Sequence, residues 1–271
     1  MKEKFVPTYE GELRKHALEV PRCISECSGI RVFGRRIKSL VFSTDVAIIK
    51  NINADAVIAV YNFTPQPSIT QAIISVSDVP VFAGVGGGYT NGQRSVNMAA
   101  AAEQLGAFGV VCNAMITNDA IRDIKAMVEI PLIFTVVSEH VDLEKRLAAG
   151  VDIVNVSGAA RTPEIVAEIR AKYPELPIIA TGGPTDETIL AAIRAGANAI
   201  TYTPPTSKDL FAKDMQEYRN WYEANRSQVD EMLNENLKTE RHSLSVFTCV
   251  TGKGRRRTSC WPRRRPFPRR W

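Results

Sequence analysis

Short runs of apolar, mostly β-branched residues recur along the chain. They are IKSLVF at 37–42, AVIAVY at 56–61, VPVFAGV at 79–85, GVVCNA at 109–114, PLIFTVV at 131–137, DIVNVS at 152–157, PIIATG at 177–182 and AITYTP at 199–204. Successive runs start 19 to 30 residues apart. Each is too short for an ordinary helix and too uniformly apolar for a strand with one wet face. The pattern predicts strands buried on both faces, as in a parallel sheet.

Between the runs, polar segments place apolar residues at helical spacing. In 95–105, Met98, Ala102 and Leu105 share a face; in 118–128, Ile121, Ile124, Met127 and Val128 do so. Segments 164–172, 186–195 and 209–224 repeat the theme. Thr162 before Pro163 suits an N-cap with proline at the first helical position. Thr185, followed by Asp186 and Glu187, gives a second cap with acidic residues in the first turn. Helices stop at Gly106, Gly150 and Gly196, and the last two stops recur as AAGVDIV and RAGANAI.

One strand–helix unit used eight times in about 190 residues predicts an α/β fold, a closed (β/α)8 TIM barrel over residues 37–230. An open doubly wound sheet is the alternative, but it rarely needs eight equal repeats. Residues 1–36 are expected to form an N-terminal extension, with a short helix over 12–20 and a hairpin turning at Gly34.

Composition changes this picture at one place. From Arg241 onward there are ten Lys/Arg and no acidic residue. Residues 1–240 are left with 24 basic and 29 acidic groups, a net charge of −5, although the whole chain is at +5. The basic segment 241–271 also has no periodicity. It is expected to be a disordered extension or the product of a shifted reading frame or a cloning join. Nucleic acid is therefore not an expected partner of the acidic body. No apolar run reaches the length of a membrane span, and no signal-peptide core precedes the first unit, which points to the cytoplasm. Five scattered cysteines do not suggest a disulfide framework.

In a barrel of this kind the active site lies in the loops after the strands. Those loops are rich in Ser, Thr, Asn and Gly, and they lack the Cys/His/Asp/Glu spacing of a metal site. The ionisable candidates for acid–base work are Glu139 and His140 after the fifth strand and Asp45 after the first, which can also cap a helix. Arg161 after the sixth strand can clamp a carboxylate or phosphate, and Asn113 and Asn155 at strand ends can orient a substrate oxygen. If these residues form one site, Glu139, His140 and Arg161 converge on a cavity with Asn113 and Asn155. Cys112 alternates with Asn113 and is expected to be a buried hydrophobe.

Two glycine-rich loops complete the set. Gly182, Gly183 and Thr185 open the seventh helix, and their backbone amides suit a phosphate. Gly87 and Gly88 follow the third strand and would let a ligand approach closely.

The stretch ATGGPTDETILAAIRAGANAITYTPP resembles the end of phosphate-binding barrels of the aldolase and ribulose-phosphate type. VSEHVDLEKRLAAGVDIVNVSG is similar in layout to the fifth and sixth units of N-acylmannosamine-6-phosphate epimerases. Residues 20–210 as a whole resemble small bacterial barrel proteins that carry a provisional hydrolase label. The resemblance implies phosphate binding after the seventh and eighth strands. This chain departs from it with Thr203-Pro204-Pro205, where proline supplies no N–H. A strand-end lysine of the epimerases also has no counterpart here.

These readings lead to an enzyme acting by acid–base chemistry on a small phosphorylated or carboxylated metabolite: an isomerase, lyase or hydrolase. The alternatives are an FMN-dependent oxidoreductase, since such phosphate cups also hold FMN, and a binding barrel without catalysis. The only protein partner left open is a further copy of the chain.

Overall fold

Eight parallel strands close into a barrel in this computed structural model, which describes residues 18–227 together with residues 5, 7 and 9. The barrel strands are β3 (Ser39–Phe42), β4 (Ala56–Ala59), β5 (Val81–Gly86), β6 (Gly109–Cys112), β7 (Leu132–Val136), β8 (Ile153–Val156), β9 (Ile178–Thr181) and β10 (Ala199–Tyr202). Each falls within one of the eight apolar runs, except that β5 extends one residue past its run to Gly86. β10 pairs with β3 and closes the ring. The helices α1 (Val46–Asn51), α2 (Pro67–Val76), α3 (Gln93–Gln104), α4 (Asn118–Met127), α5 (Leu143–Ala149), α6 (Thr162–Lys172), α7 (Asp186–Arg194) and α8 (Ser207–Ala224) follow the strands in turn. The fold is a (β/α)8 barrel.

Before the barrel, β1 (Ile30–Val32) and β2 (Arg35–Ile37) form an antiparallel hairpin. Its Ile30, Val32 and Ile37 pack with Leu40, Ile58, Phe82 and Ile133 in the barrel interior. The hairpin thus plugs the end where the strands begin. Most of the helix expected over 12–20 lies outside the described residues, and its last part is extended, with Leu18 bridging to Ile52. The basic segment 241–271 lies wholly outside them. Among the described residues the chain divides into a unit ending at Asp209, which holds the barrel, and a second unit beginning at Leu210. Among the described residues no helix is long and apolar enough to cross a membrane.

Strand alternation sorts the apolar residues into two layers. Ile133, Ile153 and Ile179 face the axis, whereas Phe134, Val154 and Ile178 pack outward under the helices. Cys112 belongs to the outer layer, fully buried, and burial pushes its thiol up to about 12. It is therefore inert as a nucleophile.

The recurring Gly-x-Asp/Asn signal has a physical basis. Gly150 and Gly196 take positive φ (117° and 112°) and end their helices. Two residues later, Asp152 accepts the Leu132 amide at 2.7 Å and the Lys125 ammonium at 2.8 Å. Asn198 accepts the Ile178 amide at 2.9 Å and the Arg170 guanidinium at 2.7 Å. The same device ties the start of β7 to the residue before β8 and the start of β9 to the residue before β10.

One cap moves. Thr185 caps α7 in a capping box with Thr188, as expected. α6 instead begins at Thr162 itself, with Arg161 in the capping position. Thr162 is buried, and its hydroxyl turns back to accept the Gly158 amide at 3.1 Å.

Candidate functional site

The mouth of the barrel is set by what each strand presents beyond its apolar interior. Between the ends of β4, β5 and β6 lies a cavity of about 240 Å³. Val60, Val111 and Asn113 line it from the strand ends, and Tyr61, Phe63, Gly88 and Tyr89 line it from the loops. The cavity exists because β5 contributes Gly84 there. A Cβ on Gly84 would approach Val60 Cγ2 to 3.1 Å and the Ala59 carbonyl oxygen to 3.2 Å.

A row of polar side chains leads away from this cavity. Val111 pairs with Ile133 and Cys112 with Phe134, so the next step sets Asn113 beside Thr135. Thr135 in turn pairs with Asn155. On the far side Thr181 pairs with Thr201. Thr135, Asn155 and Thr201 alternate with Ile133, Ile153 and Ala199, all members of the interior cluster, and so face the axis. They are 9%, 8% and 3% exposed.

Asn155 Oδ1 and Thr201 Oγ1 are buried and have no hydrogen-bond partner among the described residues. Such groups carry a desolvation cost of about 1–3 kcal/mol each and call for an explanation. Thr201→Val keeps the shape and removes the unpaired hydroxyl. It is expected to raise stability by about 1 kcal/mol, seen as a melting-temperature rise of roughly 2–4 °C. A fall would mean that the hydroxyl is already satisfied.

The ionisable candidates lie elsewhere. Glu139 accepts from Arg161 Nη1 at 2.6 Å, and His140 Nε2 lies 3.6 Å from the same carboxylate oxygen. The Glu139 carboxyl is held below its usual range by its own backbone N–H and by Arg161. It lines a cleft with Val141, Leu143, Ile165 and Tyr173 between α5 and α6, whereas Asn113 lines the mouth cavity. The His140 side chain is 86% exposed. Glu139, His140 and Arg161 thus come together with one another but not with Asn113 in one cavity. The reason is local: a short ion pair draws two neighbouring loops to each other.

Asp45 caps α1, accepting from the amides of Ala47 at 2.8 Å and Ile48 at 3.3 Å. Its other oxygen accepts from the Ser207 hydroxyl. Ser207 first, and the two amides after it, keep this carboxyl below the usual range.

At the start of α7, the Gly182 amide donates to the Thr201 carbonyl at 2.8 Å, and the Thr185 amide to Thr188 Oγ1 at 3.2 Å. Glu187 is held below its usual range by its own backbone N–H and the Thr185 hydroxyl, so a carboxylate of the chain already serves this helix end. Gly183 is required by packing, since a Cβ there would lie 2.2 Å from Thr188 Oγ1. These commitments apply to any phosphate group, that of FMN included. Gly88 opens onto the mouth cavity, while Gly87 lies against the Asn113 backbone.

Thr135 and Thr201 escape the sequence reading. The available signal was a hydroxyl two residues beyond an inward apolar position, which needs the phase of each strand. Among the described residues, no three His, Cys, Asp or Glu side chains gather as metal ligands would.

No protein-family model and no curated protein sequence matches this chain. Among solved structures it is similar to 2,3-dimethylmalate lyase, a member of the PEP mutase/isocitrate lyase superfamily. That likeness has a TM-score of 0.54 at 13% identity over 75% of this chain and 86% of that one. It is also similar to a protein from Burkholderia cenocepacia J2315 provisionally named a phosphonomutase, with a TM-score of 0.52 at 16% identity over 74% and 97% of the two chains. A mandelate oxidase aligns with a TM-score of 0.51 at 15% identity over 65% and 68%. At such identities the likeness establishes a shared (β/α)8 barrel fold and nothing finer.

Proposed function

We propose that this chain is an enzyme for a small phosphorylated or carboxylated metabolite, which it binds in the barrel mouth and converts by acid–base chemistry. Isomerase, lyase and hydrolase activities all fall within this reading. The observation that carries it is the buried polar row with its unpartnered Asn155 Oδ1 and Thr201 Oγ1. Buried polar atoms without partners are retained where a ligand completes them. Asn155 Oδ1 can only accept, as from a ligand hydroxyl. The Asn155 Nδ2–H and the threonine hydroxyls can donate to a carboxylate or phosphate oxygen, and hydrogen bonds to charged groups are the stronger kind. Two structural neighbours are named for dimethylmalate and mandelate, both carboxylates, which agrees with the reading.

None of the proton-transfer candidates lines the mouth cavity. In this reading Asp45 and Glu139, with His140 beside the latter, act on the ligand only where it extends past the cavity to the rim. Arg161 would meet the anion at the rim, and Gly88 opens onto the cavity. The Gly182 and Thr185 amides, in contrast, are taken by Thr201 and Thr188, Gly183 is held by packing, and Gly87 backs the wall through Asn113. A second reading, a binding barrel without catalysis, is favoured by the lining of the mouth cavity. That lining includes no carboxylate, imidazole, amine or guanidinium.

Thermal shift and calorimetry with phosphate, phosphoenolpyruvate and a set of 2-hydroxy acids test both. At least one should raise the melting temperature of the wild type, and Asn155→Leu should weaken its binding at least about tenfold, the value of one lost charged hydrogen bond. Equal responses in the two proteins, or none, would overturn the mouth as the binding site. If a bound acid is turned over, Glu139→Gln or Asp45→Asn should abolish turnover while keeping affinity. Binding without turnover under any condition would leave the second reading.

A further inference from the structure

The mouth is divided by strand. Its β7–β10 half presents Thr135, Asn155, Thr181 and Thr201, as described above. Its β3–β6 half is apolar at the floor, with Asn62, Thr64, Thr90 and Asn113 among the polar groups on the walls. Phe42 shares a face of β3 with interior Leu40 and is 40% exposed. Val60 and Val111 pack at the floor of the cavity, and Gly84 adds no side chain. Above them Phe63 is 73% exposed and Tyr89 is fully exposed on loops that line the same cavity. Large apolar side chains left in water along one wall of a cavity mark what the cavity takes up.

We infer that the ligand of this mouth is amphiphilic. Its oxygen-bearing head lies against Thr135, Asn155 and Thr201, and an alkyl or aromatic tail runs over Val60 and Val111 toward Phe63 and Tyr89. The inference rests on the reading of the mouth as the binding site, and it adds what the ligand must carry besides its head group. Both halves are needed. The buried amide and hydroxyl recognise oxygen, and the register that places Asn113 beside Thr135 makes the polar row continuous with the cavity wall. The other half offers no hydrogen-bonding side chain at its floor, so water there is poorly held and an apolar group displaces it favourably.

The test uses the full chain and three matched series with tails of increasing length: straight-chain 2-hydroxy acids from lactate to 2-hydroxyoctanoate, the corresponding 2-hydroxy amides, and alkyl phosphates. Calorimetry should show affinity rising by up to about fourfold per methylene until the cavity is full. Phe63→Ser, at an exposed position, should leave the melting curve unchanged and lower the affinity of the longest member about tenfold. Binding that is flat with tail length in every series would overturn the inference and leave the anionic reading standing. A rise confined to the amides would uphold the inference and overturn the anionic reading. Absence of binding in all three series would overturn both.

Discussion

Gly87→Ala is expected to destabilise the protein by about 2–5 kcal/mol and to abolish ligand binding in the mouth. Gly87 has φ +94°, where an L side chain costs about 1–2 kcal/mol. An added Cβ would lie 2.5 Å from the Asn113 carbonyl oxygen and 2.6 Å from its nitrogen. Both are backbone atoms, so no rotamer change relieves the overlap, and overpacking of this kind adds about 1–3 kcal/mol. The contact joins two loops of the mouth. The Asn113 amide donates to the Gly86 carbonyl at 2.9 Å, and the Met115 amide to the Gly87 carbonyl at 3.1 Å. Separating them moves Asn113 away from the polar row. A melting temperature lower by roughly 5–15 °C is expected. Gly88→Ala is the control, because a Cβ there meets nothing within 4 Å. Equal melting of the two variants would refute the account of Gly87.

Arg170→Met is expected to cost about 3–4 kcal/mol. The Arg170 guanidinium donates to the carbonyls of Pro174 at 2.7 Å, Leu176 at 2.8 Å and Gly196 at 2.9 Å, and to Asn198 Oδ1 at 2.7 Å. It thereby ties the loop before β9 to the loop before β10. Methionine replaces the aliphatic stem but leaves these acceptors without their shared donor. Each such bond to a charged group contributes about 1.5–3 kcal/mol, and the total is less than their sum because they act together. Lysine alone should recover little, since one ammonium cannot reproduce the planar fork. Arg170→Lys combined with Asn198→Asp copies the Lys125–Asp152 pair of the earlier unit and should recover part of the loss. Denaturant unfolding measures all three variants. A double variant no better than Arg170→Lys would show that the two units do not share the device.

Much of the barrel can be read in one dimension. Runs such as PIIATG are apolar on both sides because sheet and helices cover both faces, and that shows without knowing any neighbour. The Thr185 cap is equally local, since its partner Thr188 is three residues away. The shift at Thr162 has a nonlocal cause: its side chain is buried, and the Gly158 amide competes for its hydroxyl. The candidate site is less legible. Glu139 and His140 look like acid–base residues from their place after a strand, but their direction depends on Arg161, 22 residues away. Gly183 and Gly87 look like ligand-approach glycines, and each has a packing contact that requires it, with Thr188 and Asn113.

The sequence by itself determined the eight units, their order and most helix ends, the α6 start excepted, because hydrophobic period, caps and glycine stops act within a few residues. It also determined that the strand-end loops would be rich in Ser, Thr, Asn and Gly. Only the tertiary structure decided which polar residues face the axis. Strand phase and register are set by hydrogen-bonded pairing with neighbours some 20 residues away, and by closure of β10 on β3. That pairing puts Thr135 level with Asn155 and turns the buried, unpartnered oxygens of Asn155 and Thr201 inward. A one-residue slip would have placed the same atoms under the helices instead.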